Sequence, residues 1–351
     1  MKKVIFICFL FTGCNSSVEQ PNNLESSSKQ SIISQNISDP ITALEDEIVK
    51  KPMSPNVYYK RAIYFQEKRK FNEALEDINR ALTLAPDATF LKYQKAAILY
   101  EFAVYNQDIS LLDESKIYLD NSIEEDQSII EPRLLRAKIY LFEKKTDESM
   151  RLINDVLKID QRTAEAYLIK GMIYHFLGNY KLAASSYQTA IEVDSDFFDA
   201  FIHMGMLLDL TGKENALDYF NSAIAINPNS IEAHRNKGLH LHFNQKYLLA
   251  RESFRKVKEI DPYFEEAYFN IGNTFLGEYG LNETNSSLID SAFFYFDYAF
   301  KMNPKYVQAI HNIGLCYEIK GEINIAKEKY NQAIDLDNNF MPSLDALNSL
   351  D

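Results

Sequence analysis

Residues 164–195 read AEAYLIKGMIYHFLGNYKLAASSYQTAIEVDS, and the order of small and large side chains in this stretch decides the fold. Gly171 stands 24 positions before the closing Ser195. Ala183 follows, then Tyr187 four residues later, then Ala190, and Asp194-Ser195 ends the run. Residues four apart lie on one face of a helix, so Tyr187 stacks above Ala183. Small residues at fixed sites let two helices approach closely within one hairpin. The stretch therefore predicts a helix, a turn and a second helix packed back on the first.

The same unit recurs along the chain. Its closing pairs are Ala85-Pro86, Asp126-Gln127, Asp160-Gln161, Asp194-Ser195, Asn227-Pro228, Asp261-Pro262, Asn303-Pro304 and Asp337-Asn338, with steps of 41, 34, 34, 33, 34, 42 and 34 residues. The first small position is Ala62, Ala96, Ala137, Gly171, Gly205, Gly238, Gly272 and Gly314 in turn. The large apolar position is Ile78, Leu119, Ile153, Tyr187, Phe220, Phe254, Phe296 and Tyr330. The two long steps are single insertions, around Asn106 to Leu111 and Tyr279 to Ser287, read as loops between paired helices. An Asp or Asn at the closing pair is expected to stop one helix and cap the next.

This pattern resembles the tetratricopeptide repeat, a helix–turn–helix unit of 34 residues. Its early tryptophan position is held here by Tyr58, Tyr167, Phe201, His234, Tyr268 and Ile310, and the chain has no Trp. The resemblance implies an all-α protein, a right-handed α-solenoid of about eight such units. The expected repeats are 55–86, 89–127, 130–161, 164–195, 198–228, 231–262, 265–304 and 307–338. A short leading helix at 39–54 and a capping helix at 339–351 flank them.

In the family the first helix of each pair lines the inner surface. Carried onto this chain, that geometry gives an apolar middle of Tyr59, Ile63, Tyr93, Leu134, Leu168, Met172, Ile202, Met206, Leu239 and Phe269. One flank is acidic: Glu131, Glu165, Asp199, Glu232 and Glu266. An apolar stripe with a charged rim suits an extended or helical protein segment carrying apolar and basic residues. The plainer reading is that the apolar residues pack between repeats and the acids sit favourably at helix N-termini. The Lys, Asn and Arg set by which some family members hold a terminal carboxylate is scattered here, at Lys138, Arg235 and Asn273, so that activity is not carried over.

Catalytic and metal-binding motifs are absent from the sequence. None of the six histidines pairs with another at the helical spacing a metal needs, and there is no phosphate loop, nucleophile elbow or zinc-protease motif. No enzyme, metal or cofactor is expected. The formal charge of −13 disfavours nucleic acid and anionic lipid surfaces, so a membrane link is expected to come from an attached lipid and not from basic residues.

The first residues carry a different signal. Lys2 and Lys3 precede the apolar run VIFICFLFT, residues 4–12, and then Gly13-Cys14. The run is too short to span a bilayer, which takes roughly 20 residues. The layout resembles a bacterial lipoprotein signal peptide, with Phe11 where leucine is usual. The resemblance implies a leader over 1–13, lipid on Cys14 and a tether over 14–38 that is rich in Ser, Asn and Gln. Asn15, rather than Asp, leans toward the outer membrane over the inner. Only Cys316 then remains, inside an apolar helical pattern, where a small buried hydrophobe is expected. The expected function is that of a membrane-anchored envelope scaffold or assembly factor for other proteins. The alternative is a carrier lipoprotein capturing glycans or nutrients.

Overall fold

The computed structural model describes residues 40–281 and 285–350. The leader, Cys14 and the tether lie outside the described residues. Every regular element described is an α-helix, eighteen in all, with no strand among the described residues. The helices group into two compact units that divide between Val193 and Asp194.

The first unit opens with α1 (Pro40–Lys50) and holds four helix pairs. These are α2 (Pro55–Glu67) with α3 (Phe71–Leu84), and α4 (Thr89–Asn106) with α5 (Ser110–Glu125). Then come α6 (Glu131–Phe142) with α7 (Thr146–Ile159), and α8 (Ala164–Phe176) with α9 (Tyr180–Val193). The second unit repeats the plan with α10 (Phe198–Leu210) and α11 (Ala216–Ile226), then α12 (Ile231–Phe243) and α13 (Tyr247–Ile260). It continues with α14 (Glu265–Leu281) and α15 (Ser287–Met302), α16 (Val307–Ile319) and α17 (Ile323–Leu336), and ends on α18 (Met341–Leu350).

Helix pairing follows from the small residues, and the structure names the partner that spacing alone did not. Gly171 faces the ring of Tyr187, where an added Cβ would lie 2.4 Å from ring carbons. Gly205 faces Phe220, Gly238 faces Phe254, Gly272 faces Phe296 and Gly314 faces Tyr330 in the same manner, at 2.5–2.7 Å. Each ring is thus seated on bare backbone of the partner helix. In the first three pairs, where Ala62, Ala96 and Ala137 hold the small position, the opposing residue is Ile78, Leu119 or Ile153, all fully buried. The chain matches glycine to a ring and alanine to a branched aliphatic. That is what close packing requires when one methyl group is added on one side.

The closing Asp and Asn residues act differently from the expectation. Asp126, Asp160, Asp194, Asn227, Asp261, Asn303 and Asp337 each accept a hydrogen bond from the backbone N–H two residues on, at 2.8–3.2 Å. They close their own turn and do not cap the following helix. Side-chain caps are made elsewhere: Ser230 accepts from the Ala233 N–H at 3.1 Å, and Asn179 accepts from the Leu182 N–H at 3.2 Å ahead of α9. The insertions are also corrected. They are taken up largely as extra helix, α4 and α14 reaching 18 and 17 residues against 13 in α8 and α10.

Within each unit, first helices of successive pairs touch: α4 with α6, α6 with α8, α10 with α12, and α12 with α14. Second helices show no comparable contact between pairs. The layer of first helices is therefore the tighter, inner side of each unit. Cys316 is buried on α16, and desolvation pushes its thiol up to about 12, so it remains protonated and inert.

One buried group couples the first unit to pH. His175, on α8, is 7% exposed, and burial alone pushes it down from 6.5 to about 4. A depressed imidazole means that the unfolded chain binds the extra proton first. Its stabilising contribution is complete above about pH 6.5 and is lost as pH falls toward about 4. In thermal melts from pH 7 to pH 5, His175→Phe is expected to lose less stability than the unaltered chain. An unchanged pH slope would refute the assignment.

Candidate partner-binding surface

The acidic row comes from the first turn of successive first helices. In the first unit Glu131 is exposed at the start of α6, and Glu165 stands at the same position on α8. Lys138 Nζ, from α6, reaches Glu165 Oε1 at 2.5 Å, so this acid is tied to the preceding pair. The same device recurs in the second unit, where Arg235 Nε on α12 donates to Glu266 Oε1 on α14 at 2.6 Å. Asp199 and Glu232 are exposed on α10 and α12.

Charge on this side is felt by its neighbours. Tyr93 has its phenol pushed up by burial and then by the charges of Glu165 and Glu131. Tyr306 is pushed up by burial and then by Glu266 and Glu265. Glu232 itself is held above the usual carboxylate range, first by lost hydration and then by the charge of Asp199, with Arg235 opposing. Glu232 keeps contact with solvent, so its dehydration is partial.

The apolar residues divide. Leu134 (4% exposed), Leu168 (4%), Met172 (6%) and Ile202 (1%) are buried, which corrects the expected open stripe: these four are interior packing. Their neighbours on the adjacent helices close over them, which the helical row alone could not reveal. Tyr59, Ile63, Tyr93, Met206, Leu239 and Phe269 are half-buried and keep accessible surface. Tyr59 meets exposed Phe90 edge-on at 5.5 Å, giving the first unit an aromatic pair on this side. Phe269 packs with Phe296 and Tyr306 in the second unit.

Two sets of residues escaped the sequence reading. One is a column of asparagines, Asn236, Asn270 and Asn312, at equivalent positions on α12, α14 and α16. Asn312 donates to Asn273 Oδ1 at 2.9 Å, and Asn270 donates to Glu266 Oε1 at 3.3 Å. Asn236 is buried, and its Nδ2 meets no acceptor among the described residues. The recurrence of one polar residue at one register was the available signal. The other set is cationic. Arg61 donates twice to Asp77 at 2.7 and 2.8 Å, Arg136 donates to both oxygens of Asp120, and Lys95 donates to Tyr118. All three cations precede the small residue by one position, so they repeat with it.

Among the described residues, no group of three or more His, Cys, Asp or Glu is placed to hold a metal, and no helix is long and apolar enough to cross a membrane.

The family model for the tetratricopeptide repeat matches residues 55–88, 164–197 and 307–340. No curated protein sequence matches the chain. Among solved structures, the chain is similar to one in the APC/C hetero-tetramer Cut9–Hcn1, at 16% identity and TM-score 0.58, covering 90% of this chain and 60% of that one. It is similar to PilW, a type IV pilus biogenesis factor, at 19% identity and TM-score 0.53, covering 62% and 98%. It is also similar to PilF of Pseudomonas aeruginosa, at 16% identity and TM-score 0.52, covering 64% and 98%. These likenesses are of fold. The helix pairs and stacked first helices give an α-solenoid fold, in which the three matched stretches are tetratricopeptide repeats.

Proposed function

We propose that the protein is a scaffold that holds basic segments of other proteins against its first helices, while a lipid on Cys14 ties it to a membrane of the bacterial envelope. The observation that carries the docking half is the pair of exposed acids Asp199 and Glu232 in the first turns of α10 and α12, on the same helices as half-buried Met206 and Leu239 of the second unit. Glu232 is held above the usual carboxylate range first by lost hydration and then by the charge of Asp199. A partner lysine or arginine offsets that charge, and its apolar neighbours cover the half-buried side chains. Glu165 and Glu266, already paired with Lys138 and Arg235, serve to fix the geometry between pairs.

Glu232→Gln separates this role from a structural one. A carboxylate with a raised folded-state pKa opposes folding once ionised. The substitution is therefore expected to stabilise the protein at neutral pH, by less than about 1 kcal/mol at so exposed a site. The gain should vanish once acid protonates the carboxylate in both states. Binding of a lysine-rich peptide should move the other way, weakening about three- to five-fold. Lower stability at neutral pH together with unchanged binding would remove Glu232 from the surface.

Anchoring has its own test. Cys14→Ala is expected to shift the protein from the membrane pellet to the soluble fraction and to abolish labelling with radioactive fatty acid. Continued labelling of the variant would contradict the lipid assignment.

A further inference from the structure

The second unit carries an apolar rim that its helix packing does not use. Leu210, Phe243 and Leu281 close α10, α12 and α14, and Leu248 lies in the first turn of α13. Their exposures are 48%, 74%, 60% and 67%, far above those of core residues of the same types. His240 Nδ1, near the end of α12, lies 2.6 Å from Asp209 Oδ1 at the end of α10, and Arg251 at the start of α13 pairs with Glu278 near the end of α14, so these ends lie along one edge. Tyr247, beside Leu248, is in contact range of Gly277 on α14, which brings the start of α13 to the same edge.

Charge is sorted along the helix axis. Two of the hairpin turns at this edge, residues 211–215 and 244–246, hold Lys213 and Lys246 against one carboxylate, Glu214. The opposite ends of these helices hold Asp194, Asp196, Asp199, Glu232, Asp261 and Glu266. A helix of 13 residues such as α10 separates the two ends by about 20 Å. That exceeds two screening lengths of about 8 Å at physiological salt. The net negative charge of the chain therefore does not set the potential at the rim.

We propose that this rim is a lipid-contacting edge. Leu210, Phe243, Leu248 and Leu281 enter the boundary between headgroups and acyl chains, and Lys213 and Lys246 reach anionic headgroups. The apolar groups stand on separate helix tips, roughly 10 Å apart as packed helices are. A protein partner would need a continuous, well-fitted patch to bind such a rim, whereas a fluid interface accepts separate points. Lysines beside apolar anchors suit the same boundary, since the stem stays buried while the ammonium stays wet. The proposal is independent of lipid on Cys14, which would place the edge near a bilayer but not orient it.

The absence of tryptophan makes the test site-specific. In the full chain, Phe243→Trp provides one reporter at the rim, and Tyr263→Trp, at an exposed residue of the opposite end, provides the control. Each is mixed with vesicles of phosphatidylcholine and phosphatidylglycerol, with and without brominated acyl chains. Emission from Phe243→Trp is expected to move to the blue and to be quenched at least about two-fold more than Tyr263→Trp. Adding Lys213→Glu and Lys246→Glu should reduce that quenching toward the control. Equal quenching at both positions, none at the rim, or quenching indifferent to the lysines would overturn the proposal. Each of these outcomes leaves the peptide-binding reading of the inner side untouched.

Discussion

Replacing Phe254 with alanine is expected to lower the unfolding free energy of the second unit by about 3–5 kcal/mol, the range for removing a fully buried ring. Phe254 is 1% exposed and its ring rests on Gly238, which has no side chain to fill the space the ring leaves. The reciprocal change should also be severe. A Cβ at Gly238 would come within 2.5 Å of the ring, and the atom met is a rigid aromatic carbon, not the free end of a flexible chain. Gly238→Val is therefore expected to cost several kcal/mol through overpacking, on the order of 3 kcal/mol or more. The double change Gly238→Ala with Phe254→Ile recreates the arrangement at Ala62 and Ile78, where both residues are fully buried. It should be much less damaging than the sum of its parts, with coupling of about 1–3 kcal/mol. Urea denaturation followed by far-ultraviolet circular dichroism measures each value. Additive losses would mean that the glycine–ring contact is not what joins the pair.

The second large effect concerns charge. Arg61→Met is expected to cost about 3 kcal/mol, because it strands Asp77 in the interior. The Asp77 side chain is 6% exposed and takes both hydrogen bonds of the guanidinium, at 2.7 and 2.8 Å. Its partner's guanidinium is raised in proton affinity by this contact and is charged at every usable pH. Changing both residues, Arg61→Met with Asp77→Leu, should recover most of the loss, since a buried ion pair and a well-packed apolar pair are close in energy. A double variant no more stable than the single one would show that the pair contributes specific geometry beyond charge balance.

These two predictions mark where sequence reasoning succeeded and where it stopped. The hairpins were legible because Gly171, Tyr187 and their counterparts recur at a fixed step. The glycine-to-ring and alanine-to-aliphatic matching was also present in the sequence, but it becomes visible only when the two positions are known to touch. The extra turn in α4 and α14 was not legible, because an insertion between helices reads equally well as loop or as helix. On the candidate surface, the acids lie in the first turns of first helices, while Leu134, Leu168, Met172 and Ile202 are buried. A helical row gives direction about one axis and says nothing of how far neighbouring helices close over it. Pairing of Glu165 with Lys138 and of Glu266 with Arg235 was equally hidden, since each bond joins residues 27 or 31 apart. The rim of Phe243 and Leu248 was missed for the opposite reason. An apolar residue at a helix end reads as core until its exposure is seen.

The docking account is tested most directly by fluorescence anisotropy with two short extended peptides that alternate leucine with either lysine or glutamate. The lysine peptide is expected to bind the full chain, to weaken as salt rises, and to weaken further with Asp199→Asn and Glu232→Gln combined, while the glutamate peptide stays unbound. Equal binding of the two peptides, or lysine-peptide binding untouched by the double substitution, would contradict the assignment of this surface.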